Sequence, residues 1–106
     1  MKPFSDMYED AAQVYIRVIK RDCLGAGRAI EQIRFAFGAR AALRSALIIV
    51  LLKLAVKEKY RIPDGSLYAA TLQEYPGALL MLQDAITACY RAWGVVDTTH
   101  IYPQLY

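Results

Sequence analysis

Apolar positions recur at helical spacing along almost the whole chain, and nowhere do they alternate as a strand would. Met7, Ala11, Tyr15, Val18 and Ile19 share one face of a predicted first helix over 5–24. Ser5 or Asp6 suits its cap, Glu9 and Asp10 suit the positive end of its dipole, and Lys20 and Arg21 suit the negative end. Leu24-Gly-Ala-Gly27 reads as its stop, because glycine readily takes the left-handed conformation at a helix end. A second helix is predicted over 28–59, with no proline and only Gly38 in its interior. The segment Tyr60–Ser66, with Pro63 and Asp64-Gly65, reads as a sharp break. A short helix over 66–74 follows, capped by Ser66. Pro76 suits the first position of a last helix over 76–93, where its missing amide costs nothing. There Leu79, Leu82, Ile86, Cys89 or Tyr90, and Trp93 form one stripe that Gly94 terminates. Residues 95–106 show β-branched and aromatic residues without helical period, and an extended tail is expected. The fold class is therefore all-α: one domain, a small bundle of three longer helices and one short, arranged around a long apolar central helix.

That central helix carries the main expectation about function. Ser45-Ala-Leu-Ile-Ile-Val-Leu-Leu52 has no charged residue on any face, and a helix apolar all round must be covered on all sides. A chain of 106 residues has little material for that, and its 57% apolar content exceeds the usual share. Both features point to a second copy of the chain. Gly38, Ala42 and Ala46 recur every fourth residue, a smooth groove that lets another helix approach closely. With Ile49 and Val50 they are the expected oligomer interface; the alternative is an internal contact with the alanine-rich last helix. The apolar run is too short between Arg44 and Lys53 to span a bilayer, and no signal peptide opens the sequence. A cytoplasmic protein, or part of an intracellular assembly, is expected.

Charge adds a second reading. The net +3 is unevenly placed: residues 1–57 hold ten Lys or Arg against five acids, and residues 58–106 three against five. Arg17, Lys20, Arg21, Arg28, Arg40 and Arg44 are candidate contacts to DNA or RNA phosphates, since arginine grips phosphate through a planar fork. A solvated face paired with acids such as Asp22 and Glu31 is the competing explanation.

Candidate chemistry is sparse. His100 is the only histidine and has no placed nucleophile; an enzyme using it ranks as a third reading, below a non-enzymatic protein. Cys23 and Cys89 stand far apart with no partner histidines, so neither a metal centre nor a disulfide framework is expected. Gly25-Ala-Gly27 lacks the remaining positions of a phosphate loop. No cofactor is expected.

A long alanine-rich helix, a proline-containing turn and a further amphipathic helix make the order of elements similar to that of the HEPN family of small helical nucleotide- and RNA-binding domains. The resemblance implies an RNA- or nucleotide-binding alternative. The family's ribonuclease members carry an arginine closely followed by a histidine. Here eight residues separate Arg91 from His100, so that catalytic pair is not implied. A self-associating protein with a structural or coat-like role remains the first expectation, and a nucleic-acid-coating subunit the second.

Overall fold

The computed structural model describes residues 4–58 and 66–95, and these form an all-α bundle. Five α-helices follow one another: α1 Phe4–Asp22, α2 Leu24–Phe37, α3 Ala39–Glu58, α4 Ser66–Glu74 and α5 Leu79–Ala92, with a 3₁₀ turn at Pro76–Ala78 leading into α5. The tail expected over 95–106 lies, beyond Val95, outside the described residues, as do His100 and most of the 60–66 break.

The long second helix predicted over 28–59 is in fact two. Gly38 stands at φ 99° and ψ 172°, a backbone region essentially reserved for glycine, and the chain turns there between α2 and α3. The ladder still closes around it: the Gly38 amide donates to the Arg34 carbonyl at 2.9 Å, and the Ala42 amide to the Gly38 carbonyl at 3.2 Å. The long helix behind the likeness to HEPN domains is accordingly absent.

The predicted stop at Leu24–Gly27 is also displaced. The break falls one residue earlier, at Cys23, which is extended at φ −154° and ψ 102°, and Leu24-Gly-Ala-Gly27 is the first turn of α2. Its glycines serve close packing instead. A Cβ on Gly27 would lie 2.2 Å from Lys20 Cγ and 3.0 Å from Lys20 Cα, so α1 and α2 cross there with nothing between them. A Cβ on Gly25 would meet Ala88 Cβ of α5 at 3.5 Å.

From that break α2 runs back along α1, as the ion pairs Lys20–Glu31 (2.5 Å) and Arg34–Glu9 show. α3 packs on α1 and α2 and also touches α4 and α5, while α5 lies chiefly on α2. The core contains Ile16 and Ile19 of α1, Ile30 and Ile33 of α2, Ile48, Ile49 and Leu52 of α3, Tyr68 and Leu72 of α4, and Leu82, Ile86 and Cys89 of α5. Burying each large aliphatic side chain contributes about 1.5–3 kcal/mol. Two buried hydroxyls are satisfied within their own helices: Ser45 Oγ donates to the Ala41 carbonyl at 2.8 Å and Thr71 Oγ1 to the Leu67 carbonyl at 2.7 Å. Glu74 closes the α3–α4 side by receiving both Arg44 and, at 3.6 Å, Arg40. Among the described residues no helix is long and apolar enough to cross a membrane.

Candidate functional site

The end of α1, the second half of α3 and the end of α5 leave between them a groove of about 240 Å³. Its walls are apolar: Val18 and Ile19 from α1, Ile49, Val50 and Leu54 from α3, and Trp93 from the end of α5. Asp22 and Lys53 form an ion pair across its mouth, with Lys57 beside them. Both partners are roughly half exposed, so the pair orients the two helix ends more than it stabilises them.

Two thiols line this groove. Cys23 occupies the α1–α2 break and is half-buried; Cys89 arrives from α5 and is fully buried. Burial pushes the Cys89 thiol up to about 12. The neighbouring Cys23 and the Asp22 carboxylate push the same way, and Lys53 opposes them weakly. Cys89 is therefore a neutral thiol at physiological pH. The Trp93 ring stands edge-on to Tyr90, centroids 6.3 Å apart, and its Nε1 is buried without a hydrogen-bond partner among the described residues.

At the groove's edge and beyond it, α1 and α3 present apolar side chains to solvent. Met7, Val14 and Val18 on α1, and Leu51 and Leu54 on α3, are each about half exposed. At about 100° per residue the three α1 positions fall within roughly 40° of one another, a single stripe. Phe35 and Leu80 are more exposed still: Phe35 shares a face of α2 with the half-exposed Leu24, beside Arg28 and Gln32, and Leu80 stands beside Asp84 and Arg91.

The residues singled out in the sequence are distributed as follows. Ala42, Ala46 and Ile49 are buried within the single chain, so the surface they offer is already covered by its other helices; Gly38 is exposed at the α2–α3 turn and Val50 is half-buried in the groove. Of the six basic candidates, Lys20 pairs with Glu31, and Arg40 and Arg44 share Glu74. Arg17, Arg21 and Arg28 are exposed and make no ion pair among the described residues. Asp22 and Glu31 do pair with basic residues, though with lysines rather than arginines. No cluster of three or more His, Cys, Asp or Glu that would hold a metal ion occurs among the described residues.

The thiol pair was not visible in the sequence. Sixty-five residues separate the two cysteines, and their meeting depends on α5 folding back onto α2. A local signal exists only in retrospect: Gly25, two residues after Cys23, packs on Ala88, the residue before Cys89. Set against models of known families, curated proteins and solved structures, the chain matches none of them.

Proposed function

We propose that this chain is a non-enzymatic, self-associating helical protein with a structural or coat-like role, and that its copies meet through the outer α1–α3 face. The observation that carries this reading is the continuous stripe Met7–Val14–Val18, flanked by Leu51 and Leu54, left uncovered in a small chain rich in apolar residues. Charge favours a second copy as the occupant. Asp10 flanks the stripe near one end, and Arg17 and Arg21 flank the same edge near the other. Two α1 helices packed antiparallel about a two-fold axis bring each acid beside the other copy's arginines, the self-complementary arrangement of a closed dimer. Light scattering or sedimentation across a concentration series tests this. A dimer or larger species that Val14→Glu or Leu51→Glu reduces to monomer, with helicity retained, is the expected result. A monomer at all concentrations refutes it.

The nucleic-acid alternative draws on Arg17, Arg21 and Arg28, which have no ion partner among the described residues. It requires affinity for a short DNA or RNA that falls steeply with rising salt and weakens when these three are replaced. Binding indifferent to salt, or absent, removes it.

A further inference from the structure

We infer that Cys23 and Cys89 are a redox-active dithiol site that reacts with small-molecule disulfides and closes into an intramolecular disulfide joining the α1–α2 break to α5. Two observations of the packing support it independently. The two thiols line the same groove. The backbones that carry them are locked together next door, where a Cβ on Gly25 would sit 3.5 Å from Ala88 Cβ.

The structure also assigns an order to the two thiols. Cys23 is half-buried and opens to the groove mouth, whereas Cys89 is fully buried behind it. An oxidant of the form RSSR therefore meets Cys23 first. The Cys23 thiol gives its proton to solvent; its sulfur bonds one sulfur of RSSR, the S–S bond breaks, and RS⁻ leaves and takes up a proton. Cys89 then attacks Cys23 Sγ, its proton passing to the second departing RS⁻. Two protein thiols are oxidised to one disulfide, and one RSSR is reduced to two RSH. Desolvation keeps Cys89 protonated at neutral pH, so the second step accelerates as pH rises, while holding both thiols in one groove replaces an encounter in solution. The groove admits a small thiol compound beside Val18 and Leu54, and Lys53 and Lys57 at its mouth suit one that bears carboxylates.

The full chain, purified under reduction, is exposed to oxidised glutathione at a protein concentration where it is monomeric. Intact mass and free-thiol titration after denaturation are then read. The expected product has lost both thiols, is lighter by two hydrogens and carries no glutathione. Cys89→Ala stops at a single glutathione adduct on Cys23, and Cys23→Ala retains its free thiol. The emission of Trp93, the sole tryptophan, falls as the disulfide forms beside it. Two unreacted thiols, two separate adducts, or disulfides formed only between chains each overturn the inference. The wild-type mass alone decides the matter if either variant fails to fold. Because the stripe variants Val14→Glu and Leu51→Glu lie outside the groove, loss of self-association and loss of thiol reactivity are scored separately.

Discussion

Replacing Gly38 by alanine discriminates two architectures that predict opposite signs. If residues 28–57 formed one continuous helix, Gly38→Ala would remove a helix-interior glycine and stabilise the chain by about 1 kcal/mol. In the observed fold Gly38 sits at φ 99° and ψ 172° between α2 and α3. A side chain there costs about 1–3 kcal/mol of backbone strain, offset by about 0.4–1 kcal/mol from the smaller entropy of the unfolded chain. Packing adds nothing, because a Cβ at this position would have no atom within 4 Å. The expected net effect is destabilisation of about 1–2 kcal/mol. At roughly 4–8 °C per kcal/mol for a domain of this size, the melting temperature falls by about 5–15 °C. Circular dichroism followed against temperature or urea measures it. An unchanged or raised melting temperature would refute the break at Gly38 and restore the single long helix.

Two further outcomes follow from the packing and the buried thiol. Gly27→Val forces a branched side chain onto the Lys20 backbone, and a loss toward the upper end of about 1–3 kcal/mol is expected; a neutral result in urea unfolding would mean that α1 and α2 do not cross closely there. The Cys89 thiol, raised by burial from about 9 to about 12, binds its proton more tightly in the folded chain than in the unfolded one. Its contribution to stability is present in full below pH 9 and is lost as pH rises toward 12, at a slope of up to about 1.4 kcal/mol per pH unit. Cys89→Ala flattens that alkaline arm, and an identical decline in both proteins would show that Cys89 is not its source.

The fold class and several element ends were legible because they depend on local chemistry. Ser66 to Glu74 is a helix as predicted, Pro76 opens the turn into α5, and Gly94, at φ 69°, follows its end. The errors share a cause. Glycine was read as a helix stop at 25–27 and as a tolerated interior residue at 38, and the roles are reversed. A glycine's role at 25 or 27 is decided by Lys20 and Ala88, which approach from other helices, and sequence patterning carries no record of such approaches. The same limit hid the groove. Helical periodicity identified the buried stripe of α5, including Cys89, but only the placement of α5 against α2 sets that cysteine beside Cys23. Coverage of the apolar run at 45–52 was read as needing a partner. Ser45, Ala46, Ile48, Ile49 and Leu52 are instead covered within the chain, and Leu51 remains outside.

The placement of α5 also bears on how the chain acquires its structure. The last described helix lies chiefly on α2 rather than on its sequence neighbour α4, so one side of α2 stays open until residues 79–92 have been made and docked. Everything before that moment is a four-helix intermediate with apolar surface exposed, prone to engage other chains. By the same logic, a chain severed in the 59–65 link would leave two pieces with matched apolar surfaces. Mixed together, residues 1–58 and 66–106 are expected to reassemble as a non-covalent complex, with α5 acting as the ligand of the first piece.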